Sequence, residues 1–164
     1  VRRLKYIGFA FVLAGVFLFS RDRVRTLYKR LYECRGFLSF LSHIRRQMGC
    51  SLSSPREFAD SFEDGGELSD SGFISRLAES GDIYQSFLLS EKNLHLEAEE
   101  WEILLRVFKD FGGGYLDDAV KQLDFGEREL SSLLSKLENE IPKRAKLISL
   151  LCATGAVGFI ILLL

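Results

Sequence analysis

The chain has 164 residues, with 22 Lys and Arg against 23 Asp and Glu, and its formal net charge is −1. This length allows one folded domain beside two membrane segments and excludes two independent domains. The total hides an asymmetry, because residues 1–56 hold 12 basic and two acidic side chains, whereas residues 57–164 hold ten and 21. The basic residues lie beside apolar segments, which favours lipid headgroups over nucleic acid as their partners.

The first apolar run covers residues 6–19 and contains no charged side chain. Extended to 4–20, it is long enough for a helix that crosses a bilayer. A cleaved signal peptide is the alternative, but the following FLFSRDRV lacks a small-x-small cleavage site. Five basic residues also follow at once, namely Arg21, Arg23, Arg25, Lys29 and Arg30. We therefore predict a transmembrane helix over 4–20.

The second apolar run, residues 147–164, also contains no charged side chain and has the length of a spanning helix. Basic residues within about 15–20 positions of a span are retained on the cytoplasmic side. Eight lie on the inner flanks of the two runs and three precede the first. We therefore predict that 21–146 is cytoplasmic and that both termini lie outside. The candidate membrane-interface residues are Arg21, Arg23, Arg25, Lys143, Arg144 and Lys146.

Two long helices are predicted to leave and re-enter the membrane. From Val24 to Leu41, apolar residues recur at alternating steps of three and four, which is a heptad seam. A similar seam runs from Leu123 to Ile141. The two helices are expected to be antiparallel, with their seams facing each other, the rest of the domain, or both.

Shorter helices are predicted between these two. Ser54-Pro55-Arg56-Glu57 indicates an N-cap followed by Pro at the first helical position, so a helix should run to about residue 62. Two more helices are separated by Gly81-Asp82, and an apolar stripe over residues 101–111 predicts another. Gly112-Gly113-Gly114 should break the chain before the return helix. The predicted fold class is all-α, a helical bundle inserted between an N-terminal and a C-terminal transmembrane helix.

The sequence contains no pattern typical of catalysis or metal binding. His43 and His95 lack HxxxH or HExxH spacing, and the three cysteines form no CxxC pair. The glycines at 112–114 are not followed by the Lys-Ser/Thr of a phosphate-binding loop, and Asp117 and Asp118 would repel phosphate. We predict no enzymatic activity, no cofactor and no metal.

The chain resembles the stage III sporulation protein AB family of spore-forming bacteria. The likeness is carried by the opening apolar run with its basic helix, by the turn GCSLSSPREFADSF and by VFKDFGGGYLDDAVKQL. The last segment is similar to the family's Leu-Gly pairs followed by an Asp and a Gln. Phe111-Gly112 matches the second pair, Asp117 or Asp118 the acidic position and Gln122 the glutamine. Val107-Phe108 stands in place of the first pair.

The resemblance implies a non-enzymatic membrane component of the apparatus that connects the mother cell with the engulfed forespore. The family's helical domain is similar to the cytoplasmic domains of the F-type platform proteins of type II secretion and type IV pilus systems. Those proteins sit between a cytoplasmic secretion-type ATPase and the parts of the machine across the membrane. The implied partners are such an ATPase, other membrane components of the channel and the lipid membrane, with homo-oligomerisation left open. The implied location is the mother-cell membrane facing the forespore.

An acidic surface is the predicted site for such a partner. Residues 57–140 hold 21 acidic and seven basic side chains, which suits a basic docking face. The candidate docking residues, expected to be exposed where helices begin, are Glu97, Glu99, Glu100, Asp117 and Asp118. Acidic residues in a first helical turn also suit the helix macrodipole without any partner. A small membrane-anchored sensor or adaptor, whose bundle binds another protein, is the competing interpretation.

Overall fold

The computed structural model describes residues 2–48, 54–109, 111 and 116–163, with side chains over 13–48, 54–109, 111 and 118–158. Regular structure within these residues is entirely helical, which confirms the all-α class. The α-helices are α1 (Arg2–Met48), α2 (Pro55–Ser61), α3 (Phe73–Ser80), α4 (Ile83–Ser90), α5 (Ala98–Lys109) and α6 (Leu116–Leu163). Two short 3-10 helices cover Ser69–Ser71 and Glu91–Asn93.

The chain divides into two compact units. The bundle comprises Arg30–Leu137 and contains the four short helices with the adjoining parts of α1 and α6. The helix-end unit comprises Val1–Lys29 and Glu138–Leu164. The predicted cytoplasmic domain, 21–146, stays a prediction.

The two predicted transmembrane helices, 4–20 and 147–164, are not confirmed. Within the described residues, no helix carries a segment long and apolar enough to cross a bilayer. Both predicted spans extend into residues whose side chains are not described, 2–12 in α1 and 159–163 in α6. The two spans stay predictions.

The first short helix begins as the sequence predicts. The Ser54 side chain accepts a hydrogen bond from the Glu57 N–H, and Glu57 Oε2 accepts one from the Ser54 N–H at 2.8 Å. These reciprocal bonds form a capping box, and Pro55 occupies the first turn, where its missing N–H costs nothing. The predicted break at Gly81-Asp82 is also present, with Gly81 at a φ of 72° ending α3 and Asp82 capping α4.

Aromatic side chains form the core of the bundle. Phe37 of α1 is fully buried, and its ring centroid lies 5.2 Å from that of Phe73, 5.5 Å from Phe87 and 6.2 Å from Phe108. Each of these three rings comes from a different short helix. Trp101 of α5 extends the cluster by stacking on Phe87 at 4.2 Å. The short helices therefore pack around one face of α1.

A second face of α1 lies against α6 within the bundle. Arg45 of α1 pairs with Asp124 at 2.7 Å and with Glu127 at 3.1 Å. Earlier residues of α1, Leu38 and Ser42, line a groove with later residues of α6. Because the numbering rises along one helix and falls along the other, the two helices are antiparallel here, as predicted.

Two glycines of the long helices allow a neighbouring segment to approach closely. A Cβ at Gly36 of α1 would lie 2.7 Å from Leu68 Cγ and 3.0 Å from Glu67 Cβ. A Cβ at Gly126 of α6 would overlap the Val107 side chain of α5. Neither glycine has a positive φ. Close packing, not backbone conformation, therefore accounts for both.

Replacing Gly36 with Ala is expected to destabilise the bundle. Alanine favours a helix over glycine by about 1 kcal/mol, whereas overpacking a buried contact costs about 1–3 kcal/mol. We expect a net loss of up to about 2 kcal/mol in the free energy of unfolding, measured by denaturant titration of Trp101 fluorescence. Ser39→Ala, on the exposed side of the same helix, is the control. It should raise the free energy of unfolding by a few tenths of a kcal/mol. A Gly36→Ala variant as stable as that control would contradict the steric argument.

Candidate functional site

A buried ion pair fixes the beginning of α5 against α1. Arg30 of α1 donates from Nε to Glu100 Oε1 at 3.1 Å, and its Nη2 pairs with the same oxygen. The Glu100 side chain is 0% exposed and that of Arg30 is 7% exposed. Arg30 Nη1 also pairs with Glu97, whose side chain is 60% exposed. A guanidinium in this position satisfies a carboxylate that could not otherwise be buried.

Glu100 also caps its own helix. Glu97 is the N-cap residue of α5, and its backbone N–H donates to Glu100 Oε2 at 2.9 Å. Each carboxylate oxygen of Glu100 therefore has a partner, one from the helix start and one from Arg30. A helix start leaves unpaired N–H groups, so a carboxylate three residues into the helix stabilises it.

A second carboxylate of α1 holds the segment before α5. Glu33 accepts a hydrogen bond from the His95 N–H at 2.6 Å, and its other oxygen lies 2.7 Å from His95 Nδ1. Arg30 and Glu33 are three residues apart, so one helical turn supplies both partners. Cys34 lies beside them and is fully buried, and burial, with the charge of Glu100, raises the pKa of its thiol to about 12. A raised pKa favours the protonated thiol, which packs in the bundle core.

The predicted docking carboxylates do not form one site. Glu100 is fully buried, so it cannot present its charge to a partner, and the exposure expected for it is corrected. Arg30 likewise belongs to the bundle core and not to the basic flank of the first apolar run. Glu97, Glu99 and Asp118 are exposed. The side chain of Asp117 lies outside the described residues, as do Gly112-Gly113-Gly114.

The exposed candidates lie at opposite ends of α5. Val107 meets Gly126, and Arg106 Nη1 lies 3.9 Å from Glu129 Oε2, so α5 runs antiparallel to α6. Glu99 is eight residues before Val107, and Asp118 is eight residues before Gly126. At 1.5 Å per residue, Glu99 and Asp118 are separated by about 24 Å along the shared axis. They can contact one partner only across a broad surface.

A third group of carboxylates was missed by the sequence analysis. Residues 57–70 hold six acidic and no basic side chains. Some have structural roles, since Glu57 belongs to the capping box of α2 and Asp64 accepts from the Leu68 N–H at 3.2 Å. Asp60 and Glu63 are exposed and project from the same region. The run of acidic residues without a basic one was the signal that could have identified them.

The groove between α1 and α6 in the bundle is polar. It has a volume of about 780 Å³ and is lined by Leu38, Ser42, Glu127, Arg128, Ser131, Ser132, Ser135 and Lys136. Glu127 Oε1 is buried there without a hydrogen-bond partner among the described residues. Burial raises the pKa of Glu127, although Arg45 opposes the shift. One carboxylate and two cations face this groove, so it has no uniform charge.

The predicted membrane-interface cations fall together in the helix-end unit. All six are exposed: Arg21, Arg23 and Arg25 on α1, and Lys143, Arg144 and Lys146 on α6. Arg144 pairs with Glu140 one turn earlier at 2.9 Å, and Arg23 lies 5.2 Å over the Phe19 ring.

Among the described residues, no group of His, Cys, Asp and Glu could hold a metal ion.

The fold and the exposed charges define a class of protein, an all-α protein with an acidic helical bundle and a basic unit formed by the ends of its two long helices. The family model of stage III sporulation protein AB matches residues 5–164, so the chain belongs to that family. A solved structure of a stage III sporulation protein AB (SpoIIIAB) has a TM-score of 0.55 and 16% identity, covering 70% of this chain and 97% of its own. That likeness shows the shared fold. Comparison with curated protein sequences gives no match.

Proposed function

We propose that this protein is a non-enzymatic scaffold of the stage III sporulation apparatus whose bundle docks a cytoplasmic secretion-type ATPase. One observation carries the proposal, the acidic surface of the bundle. Residues 57–140 hold 21 acidic and seven basic side chains, and exposed carboxylates occur at three separate places on the bundle. Complementary charge accelerates association and fixes the orientation of a partner. A partner with an extended basic face fits this distribution better than one with a single pocket.

We further propose that both helix ends anchor the protein in the mother-cell membrane, with the bundle in the cytoplasm. The support is the apolar composition of residues 6–19 and 147–164 and the six exposed cations beside them. Cations beside an apolar helix bind anionic headgroups of the cytoplasmic leaflet, at about 1 kcal/mol for each residue. Such anchoring would hold the bundle where a cytoplasmic ATPase can reach it.

The docking proposal is tested by reversing each exposed acidic group separately. The three variants are Glu99→Lys, Asp118→Lys and the double variant Asp60→Lys/Glu63→Lys. A reversed charge inside the interface should weaken co-purification of the ATPase about tenfold, equivalent to about 1.4 kcal/mol, and should lower the sporulation frequency. Each carboxylate is exposed, so the thermal unfolding midpoint should not change.

Glu79→Lys is the matched control, because it reverses an exposed charge at the end of α3 that belongs to none of the three groups. The variant that loses binding identifies the face that docks. If all three variants retain full ATPase co-purification and normal sporulation, the acidic surface is not the docking site. If the wild-type protein itself retains no ATPase, the sensor or adaptor interpretation replaces the scaffold.

A further inference from the structure

Two helices of the helix-end unit flank an open, largely apolar groove with a cation near one end. Its volume is about 640 Å³, within the roughly 300–1,000 Å³ typical of sites for small ligands. The lining residues are Leu13, Val16, Phe17, Ser20, Arg21 and Val24 of α1, with Ala145, Ser149, Cys152, Ala153 and Ala156 of α6. The α6 wall consists of small side chains, and this leaves room between the helices.

We infer that this groove binds an anionic phospholipid, with one acyl chain along the apolar walls and the headgroup phosphate on Arg21. The inference rests on the proposed membrane location of the helix ends. It goes beyond that location, because it assigns a single bound lipid to a defined site.

The order of the lining residues shows which end of the groove holds the positive charge. α1 and α6 are each one continuous helix and run antiparallel where Arg45 pairs with Asp124, so Val24 lies at the same end of the groove as Ala145. Arg21 is one turn from that end, whereas the opposite end is lined by Leu13 and Ala156. The groove is therefore apolar over most of its length and cationic at one end, which is the charge distribution of a phospholipid reversed in sign. Basic pockets between helices at the membrane surface bind such headgroups.

Arg21 is available for a phosphate. No ion pair joins it to a carboxylate in the part of the chain that the structure describes. A guanidinium can hold a phosphate with two parallel hydrogen bonds. Lys143 and Lys146 are exposed on α6 on either side of the lining residue Ala145.

The headgroup part of the inference is tested by removing the groove cation. Full-length protein is purified in mild detergent, incubated with phosphatidylglycerol, and the retained lipid is counted by native mass spectrometry. Arg21→Gln should reduce retained phosphatidylglycerol about fivefold, equivalent to about 1 kcal/mol, because it removes the phosphate partner. Arg23→Gln is the matched comparison. Arg23 lies over the Phe19 ring and does not line the groove, so its loss should lower phosphatidylglycerol retention less than the loss of Arg21 does. Phosphatidylcholine should bind the wild type less than phosphatidylglycerol.

The acyl-chain part is tested by filling the groove. Ala153→Leu adds bulk to the α6 wall and should displace the lipid to a similar extent. Gly155→Leu adds bulk where a Cβ would meet no atom within 4 Å, so it should leave lipid binding unchanged. Equal loss in Arg21→Gln and Arg23→Gln, or full lipid retention in Ala153→Leu, would overturn the inference. Formation of a cross-link from Cys152 to a partner protein in membranes would instead show that a protein helix occupies the groove.

The failure of this inference can be distinguished from failure of the proposed function. All four variants are sedimented with membranes and assayed for ATPase co-purification in parallel. If lipid retention is nonspecific but the protein still sediments and still binds the ATPase, only the groove assignment is wrong. If the wild type does not sediment with membranes, the proposed location is wrong as well.

Discussion

Replacing Arg30 with Met is expected to lower the free energy of unfolding by about 3–5 kcal/mol, because it leaves the buried carboxylate of Glu100 without its cation. Glu100 is 0% exposed, so water cannot take the place of the guanidinium. The loss is measured by denaturant unfolding of the full-length protein in detergent. Trp101 is the only tryptophan and follows Glu100 directly, so its fluorescence reports on this part of the bundle.

Two further variants distinguish the loss of the buried ion pair from the loss of any surface cation. Arg106→Met removes a guanidinium that is 58% exposed and lies 3.9 Å from Glu129, and such a surface pair contributes about 0–1 kcal/mol. The double variant Arg30→Met/Glu100→Leu removes both charges and should recover much of the lost stability. It should retain a deficit of about 0.5–2 kcal/mol, because Glu100 also caps the N–H of Glu97. An Arg30→Met variant no less stable than Arg106→Met would contradict the buried pair.

This ion pair has a consequence for the docking surface. Glu97 pairs with Arg30, and Glu99 is one residue before Glu100, so the buried pair fixes the position of both exposed carboxylates. Loss of the pair would free the start of α5 even where the rest of the bundle remains folded. A docking defect in Arg30→Met would therefore reflect disorder of the surface, whereas Glu99→Lys changes only its charge.

The local structure of the bundle could be predicted from the sequence because the determining residues are adjacent. Ser54 and Glu57 are three positions apart and form the capping box that begins α2. Gly81 and Asp82 lie between α3 and α4, where one ends the first helix and the other caps the second. Such signals need no knowledge of the tertiary fold.

The width of the buried surface of α1 could not be predicted in the same way. The heptad seam included Leu31, Cys34 and Leu41, and all three are buried. Phe37, Phe40 and Ile44 lie outside the seam and are fully buried as well. A heptad seam describes one partner helix, but α1 contacts α6 on one side and the short helices on the other. The number of partners is a tertiary property.

The burial of Glu100 likewise could not be predicted from the sequence. Its partner Arg30 is 70 residues away and stands in a run of basic residues that suggested a membrane flank. An acidic residue in a first helical turn is usually exposed, and only the opposing guanidinium makes its burial stable. The sequence identified the helix start correctly but could not show which of its carboxylates faces inward.

Replacing Phe37 with Ala is expected to lower the free energy of unfolding by about 3–5 kcal/mol, because removal of the ring would leave a cavity where three short helices meet α1. Phe37 is 0% exposed, and its ring faces Phe73, Phe87 and Phe108. Each aromatic pair contributes about 0.5–1.5 kcal/mol beyond the buried area. Phe125→Ala is the control, since that ring is 49% exposed, and it should change stability by about 0.5 kcal/mol or less.

Circular dichroism and tryptophan fluorescence, followed in the same denaturant titration, together show how Phe37 stabilises the protein. The long helices α1 and α6 have 47 and 48 residues, so they dominate the far-ultraviolet circular dichroism. Trp101 fluorescence reports on the short helices, because the indole stacks on Phe87. If Phe37 joins the short helices to α1, Phe37→Ala should shift the fluorescence transition to lower denaturant than the loss of helix. A cost no greater than that of Phe125→Ala would contradict this role, since the short helices would then hold together without the ring.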